Sequence, residues 1–206
     1  KLLSRNPLPL PEGVTVASIK KGSVLSGLIG FGLSNGQLLV AKPQYITQFD
    51  ESTNERQVNA SLAYPYGEQA ISINADGQPL TTFYVRGDES ELVVLAKTSQ
   101  GLERLSFAMS GGEEAGGLSL GLDEESEAGA AALTQTERTM LPYSGGPITE
   151  IVLGQDGVWG YVFHDRNQLA IYSLRDEPVL NQEITVAEPG VDVTAVTALL
   201  GNVSLI

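Results

Sequence analysis

The chain has 206 residues, 42% of them hydrophobic, and its 25 acidic side chains against 12 lysines and arginines give a formal net charge of −13. This length and apolar content suffice for a packed globular core, while the acidic charge argues against binding to nucleic acid or to an anionic membrane surface. The absence of cysteine excludes disulfides, structural zinc sites built on thiolates and thiol nucleophiles.

Neither a membrane span nor an export signal is visible in these residues. The longest apolar stretch, Val24 to Leu33, is broken by serine and glycine and is too short to cross a bilayer. No basic segment precedes an apolar one with a small-residue cleavage site. The chain begins at Lys1 without a methionine and ends on Val203 to Ile206, which is typical of a strand in progress. We therefore expect both ends to be cuts in a longer protein.

Short β-rich runs closed by turn residues follow one another along the whole chain, and no long stretch has a helical apolar repeat. The clearest unit is 148–187. It reads as four strands joined by tight turns, with Asp156-Gly157 in the first turn, which is typical of a β-hairpin. The predicted strands of this unit are Ile148 to Leu153, Trp159 to His164, Leu169 to Leu174 and Val179 to Val186.

The same pattern predicts two earlier units, 14–64 and 69–109, and a restart of the pattern in 193–206. In the second unit the predicted strands are Ala70 to Ile73, Thr81 to Val85, Glu91 to Ala96 and Leu102 to Ala108. Antiparallel four-stranded units repeated in this way are typical of propeller blades. The predicted fold class is therefore all-β, a partial β-propeller of WD40-like blades, with about three blades plus the start of a fourth in one domain.

An acidic, Gly/Ala-rich loop is predicted at 110–137, because this segment has little to bury and a high entropy of ordering. A second expectation concerns closure of the ring. Three blades and part of a fourth leave apolar faces and strand edges open. We expect either further blades in flanking sequence or pairing of two copies, a homo-oligomer that covers the open blade faces.

The search for catalytic chemistry starts from the only histidine. His164 is followed by Asp165 and Arg166, but no Gly-x-Ser-x-Gly elbow occurs in the chain, and the segment occupies a predicted hairpin turn. A turn is the favoured interpretation over a Ser-His-Asp triad. The sequence therefore predicts no catalytic residue.

Cofactor and metal sites are not predicted either. The carboxylates from Asp123 to Glu127 lack the alternating ligands and central glycine of an EF-hand, so they are interpreted as a solvated charge run. Asp76-Gly77 and Asp156-Gly157 are interpreted as hairpin turns. No phosphate-binding glycine loop is present, and the arginines are scattered. Four aromatic residues on neighbouring strands are expected to fill the layers between blades rather than to stack a ligand: Trp159, Tyr161, Phe163 and Tyr172.

Three segments carry a family resemblance: Gly36 to Val40, Ala60 to Glu68, and the closing run Val193 to Ile206. Together they resemble the large periplasmic insert found in some proteobacterial permease subunits of the phosphate ABC importer, the PstC type. The resemblance touches nearly the whole chain, although only the closing run is specific.

The resemblance implies a non-catalytic interaction or scaffold domain on the periplasmic side of the bacterial inner membrane, excised from an integral membrane protein. The implied partners are the other transporter subunits or the periplasmic phosphate-binding protein, without direct membrane contact by this fragment. No transport residue of the family can be assigned to a numbered position. The alternatives left open are a stand-alone ligand-binding or lactonase-like propeller enzyme, and an assembly scaffold unrelated to transport.

Overall fold

The computed structural model describes residues 5–49, 56–109, 133–154, 156–194 and 196, without the side chain of residue 57. Within these ranges the chain forms thirteen β-strands and no helix, so the all-β prediction is confirmed. None of the described segments is a helix able to cross a membrane. The strands are β1 (Val16–Lys21), β2 (Ile29–Leu33), β3 (Gln37–Phe49), β4 (Arg56–Ala63), β5 (Ile71–Ser72), β6 (Phe83–Gly87), β7 (Glu91–Lys97), β8 (Leu102–Met109), β9 (Leu133–Met140), β10 (Ile148–Leu153), β11 (Trp159–His164), β12 (Gln168–Ser173) and β13 (Val179–Thr185).

The strands form three antiparallel sheets, each with four strands in chain order. Sheet I contains β1 to β4, with the short β5 added to β3; sheet II contains β6 to β9; sheet III contains β10 to β13. None of these sheets closes on itself. Their first strands begin at positions 16, 83 and 148, spacings of 83 − 16 = 67 and 148 − 83 = 65 residues. The repeat is therefore more regular than the sequence pattern indicates.

Sheet III agrees with the prediction strand for strand, because local turn chemistry defines it. Gly157 has a φ of +70° in the turn between β10 and β11, and the Asp156 carboxylate accepts a hydrogen bond from the Val158 amide at 2.9 Å. The equivalent Asp76-Gly77 turn has the same features. Asp156-Gly157 thus forms the predicted hairpin turn. Asp76-Gly77 also forms a turn, but it connects β5 of sheet I to β6 of sheet II, so the hairpin prediction is wrong there.

Sheet II differs from the prediction at both edges. Residues 70–73 were expected to be its first strand, but β5 pairs with β3 of sheet I, and β6 is the first strand of sheet II. The fourth strand is β9, so five residues of the predicted loop 110–137 belong to a strand. Since β9 is an edge strand of mostly polar residues, it lacks the apolar alternation that marks a strand in sequence. The remainder of that loop, 110–132, lies outside the described residues.

The sheets pack face to face with sheet II in the middle. On β7, Leu92 and Val94 point into the core shared with sheet I, while Val93 and Leu95 point into the core shared with sheet III. All four side chains are buried, which explains the uninterrupted apolar run of this strand. At about 1.5–3 kcal/mol for each fully buried side chain, this strand anchors the stack.

Close approach between sheets I and II requires glycine on β2. A Cβ atom at Gly32 would lie 2.0 Å from the Leu80 carbonyl oxygen and 2.6 Å from the Phe83 ring. The glycines that interrupt the apolar run in sequence thus allow β2 to lie directly against the ring of Phe83. On the opposite face of sheet I, the N-terminal segment contributes Leu8 and Leu10 to a third apolar cluster.

Candidate functional site

His164 lies at the end of β11 with only 2% of its surface exposed, between two carboxylates. Its Nδ1 atom is 2.9 Å from Asp165 Oδ2, and its Nε2 atom is 2.9 Å from Glu183 Oε1. Nε2 makes no hydrogen bond among the described groups, so the second contact is a close approach and not a hydrogen bond. Asp165 and Arg166 have φ values of 47° and 70°, so the predicted hairpin turn is confirmed.

Tyrosines and backbone groups complete the surroundings of this histidine. The Tyr143 ring meets it edge-on at a centroid distance of 5.4 Å, and the Tyr143 hydroxyl donates to the Gly146 carbonyl oxygen. The hydrogen bond from His164, then that from the Gly146 amide, lowers the pKa of Asp165. Burial, followed by the Asp165 charge, raises the pKa of Tyr143 to about 12. No described hydroxyl hydrogen-bonds to the ring, and the cluster ties the segment before β10 to sheet III.

A second polar contact lies where the first strands of the three sheets meet, since β6 contacts both β1 and β10. Lys20 Nζ and Glu150 Oε2 are 2.7 Å apart across a cleft of about 360 Å³. Burial raises the pKa of Tyr84, which also lines this cleft, to about 12. The ion pair was missed because its members are 130 positions apart.

A larger cleft of about 650 Å³ lies between sheets I and II, and its polar groups are engaged in turns. The Tyr66 hydroxyl donates to the Asp88 carbonyl oxygen at 2.7 Å. The Asp88 carboxylate accepts hydrogen bonds from the amides of Ser90 and Glu91 at 2.8 and 3.0 Å, which lowers its pKa. These contacts stabilise the β6–β7 hairpin. No group of three or more metal-ligating side chains occurs within the described ranges.

The most deeply buried ion pair joins β8 to β9. Glu103, whose side chain is 5% exposed, accepts two hydrogen bonds from Arg138, at 2.8 Å from Nε and 2.7 Å from Nη2. Thr98 Oγ1 donates to the same carboxylate at 2.5 Å. Arg138 Nη2 also donates to the Ile73 carbonyl oxygen at 3.1 Å, which connects sheet II to the segment after β5. This cluster was missed in sequence because Arg138 was placed just beyond a loop.

The predicted aromatic layer divides between two faces of sheet III. Tyr172 packs in the core shared with sheet II. The register pairs Tyr161 with Ile171 and Phe163 with Leu169, so these rings lie on the other face, together with Trp159. Only Tyr172 thus fills a layer between two described sheets.

An exposed two-stranded arm is formed by the second half of β3 and by β4. Its register places four pairs on one face: Pro43 with Leu62, Tyr45 with Ala60, Thr47 with Val58 and Phe49 with Arg56. The opposite face carries mainly polar residues, among them Gln44 and Gln48. We call the first set the apolar arm face.

The apolar arm face is partly buried at its base and exposed farther out. Near its base, Leu62 packs against the cluster that contains Leu8 and Leu10. Farther out, Tyr45 is 72% exposed and Phe49 is 65% exposed. Exposed aromatic side chains grouped on one surface are typical of protein-binding sites. In the predicted unit 14–64 the strands expected here are Leu38 to Ala41 and Val58 to Ala63. The sequence pattern therefore predicts β4 but not the second half of β3.

The restart predicted at 193–206 lies largely outside the described residues; Val193 itself donates its amide to the Arg166 carbonyl oxygen. The acidic residues 123–127 also lie outside the described part. Two of the scattered arginines have separate partners: Arg104 donates to the Leu174 carbonyl oxygen, and Arg166 lies beside Asp192. Neither a scan against models of known protein families nor a search of curated proteins found a match to this chain.

Proposed function

We propose that this chain is a non-catalytic interaction domain that binds another protein through the apolar arm face. The observation that carries the proposal is the exposure of Tyr45 and Phe49 on an arm that projects from an otherwise packed stack. Exposing two large rings to water is unfavourable, and burial against a partner recovers that free energy. Aromatic residues of this kind often dominate the energy of an interface.

The contacts of the polar clusters support a structural role for their charged residues. The two carboxylates beside His164 belong to the turn and to β13, and Lys20 and Glu150 neutralise each other. Each cluster bridges two segments that are distant in sequence. Such contacts stabilise the stack of sheets, and we assign the binding of a partner protein to the apolar arm face.

For the fold, we propose that sheets I to III are consecutive blades of a β-propeller. Two features support this: the first strands of the sheets are neighbours, and each sheet packs face to face on the next. The far face of sheet III, with Trp159 and Tyr161, would then contact a further blade or a second copy.

For the cellular role, we propose a domain of a phosphate importer permease on the periplasmic side of the inner membrane, without direct membrane contact by this fragment. The support is the sequence resemblance described above. In this role the arm binds the periplasmic phosphate-binding protein or another transporter subunit. The rival is a ligand-binding or lactonase-like enzyme that uses the cleft beside Lys20 and Glu150.

The test compares binding of the cognate phosphate-binding protein, by titration calorimetry, to the parent chain and to the double variant Tyr45→Ser, Phe49→Ser. We expect the double variant to lose at least about tenfold in affinity with an unchanged unfolding midpoint. Val179→Ser, an exposed apolar position on β13, is the matched control. Equal affinity of both proteins would remove the arm from the interface.

The importer role is tested separately. Deleting this domain from the permease should change the rate of phosphate uptake, and unchanged uptake together with no binding of any transporter component would refute that role. A Lys20→Met, Glu150→Met variant should retain partner binding. Loss of ligand binding or of lactonase activity in that variant, with partner binding intact, would instead favour the rival function as a ligand-binding or lactonase-like enzyme.

A further inference from the structure

The arm has a free strand edge in addition to its apolar face. The first half of β3 pairs with β2, which begins at Ile29 opposite Ala41. Beyond that point β3 pairs only with β4, through the eight positions from Lys42 to Phe49. Its other edge, which continues the β2 side of the ladder, has no partner strand among the described residues.

The direction of the free backbone groups follows from Pro43. Proline has no amide hydrogen, so within a sheet its nitrogen faces an unpaired edge. Backbone groups of alternate residues point to the same side of a strand. The amides of Tyr45, Thr47 and Phe49 therefore point to the free edge, and those of Gln44 and Ile46 point to β4.

Lys42 and Pro43 lie at the base of this edge, but its outer part, from Gln44 to Phe49, lacks the features that usually prevent edge-to-edge pairing. Charged residues, prolines and bulges are the common protective devices. The outer strands of sheets II and III have them: β9 contains Glu137 and Arg138, β13 contains Glu183, and a register shift interrupts each ladder. From Gln44 to Phe49 the arm has no charge, no proline and no glycine, and its ladder with β4 has no register shift.

We propose that this edge pairs with the same edge of a second copy of the chain. Two-fold symmetry makes the pairing antiparallel, and it produces one continuous sheet in the order β4, β3, partner β3, partner β4. Charge favours this contact over other self-contacts. Each chain carries a net charge of −13, and the residues that meet across the axis are uncharged.

The dimer would be weak, because an edge of eight residues buries less than the roughly 1,200 Å² of a standard interface. It would also join two apolar arm faces into one larger surface, to which the partner of the proposed function could bind. The pairing itself does not depend on that function, since it can be measured with this chain alone.

The test is sedimentation velocity of the full chain at concentrations up to about 300 µM, in low salt and in about 0.5 M NaCl. We expect a dimer that increases with concentration and is favoured by salt, because salt screens the repulsion between two acidic chains. Thr47→Pro should weaken association at least about tenfold, since it removes an outward amide and leaves the β3–β4 ladder intact.

Two variants complete the experiment. Thr47→Val retains the amide and should dimerise like the parent chain. Thr47→Lys leaves the backbone unchanged but adds a charge to the edge strand, so it should weaken association, which keeps the test valid if the proline variant unfolds. A parent chain that stays monomeric in high salt, or a dimer that Thr47→Pro and Thr47→Lys leave unchanged, would refute the pairing. Failure here, with partner binding by the arm face retained, would leave the proposed function standing.

Discussion

Removing Arg138 should cost stability, because it leaves the Glu103 carboxylate buried without its cation. Of the three side-chain hydrogen bonds to Glu103, only the one from Thr98 would remain. Breaking a buried ion pair from one side costs about 3–5 kcal/mol, but Arg138 is 30% exposed and water can partly replace it. We therefore expect Arg138→Ala to lower the free energy of unfolding by about 2–4 kcal/mol at neutral pH.

The pH dependence of this penalty has a definite sign. Hydrogen bonding from Arg138, followed by that from Thr98 against the opposing effect of burial, lowers the pKa of Glu103 below its usual value. A carboxyl group with a lowered pKa in the folded state stabilises the fold above its unfolded pKa, and this contribution is lost as pH falls through the folded pKa. The penalty of Arg138→Ala should therefore shrink as pH falls through the lowered pKa of Glu103, where this carboxyl becomes protonated in the folded parent chain.

Urea denaturation of both proteins, at about pH 7 and at successive values down to about pH 3, measures this difference. Arg56→Ala on the exposed arm is the matched control, and it should cost less than about 0.5 kcal/mol. A double-mutant cycle with Glu103→Gln isolates the coupling between the two side chains. If Arg138→Ala costs less than about 0.5 kcal/mol, or if its cost stays constant down to about pH 3, then Arg138 and Glu103 are not coupled as described.

Two further predictions concern packing and burial. Gly32→Ala should lower the free energy of unfolding by at least about 2 kcal/mol, because its new Cβ would overlap the rigid Leu80 carbonyl. Gly160→Ala should cost less, since its Cβ meets only flexible leucine ends at 3.2 Å or more; equal costs would contradict this account. Burial raises the pKa of three tyrosines to about 12. Their phenolate absorbance should therefore appear at a higher pH in the folded chain than in the unfolded chain, where the pKa of tyrosine is about 10. Stability contributed by these tyrosines should be present below about pH 10 and lost as pH rises toward 12, and coincident native and denatured titrations would refute their burial. The three are Tyr84, Tyr143 and Tyr172.

Local chemistry alone was sufficient to predict sheet III. Asp156-Gly157 lies between its first two strands and Asp165-Arg166-Asn167 between the next two, and turn residues of this kind act over two to four positions. The all-β class and the structural role of both Asp-Gly turns follow from the same local signals. The absence of a catalytic residue stays a prediction, because no observation here tests activity.

Contacts between distant residues decided the rest. Residues 71–72 are apolar enough for a strand in either sheet, and only packing assigned β5 to β3 of sheet I. The polar strand β9 is stabilised by its ladder with β8 and by Arg138, neither of which leaves an apolar periodicity in sequence. The arm is exposed because β2 pairs with β3 only as far as Ala41, so the rest of β3 has only β4 beside it among the described residues. Sequence alone determined where the chain turns, because turns depend on neighbouring residues; the tertiary structure decided which edges and rings remain exposed, because exposure depends on every segment that packs nearby.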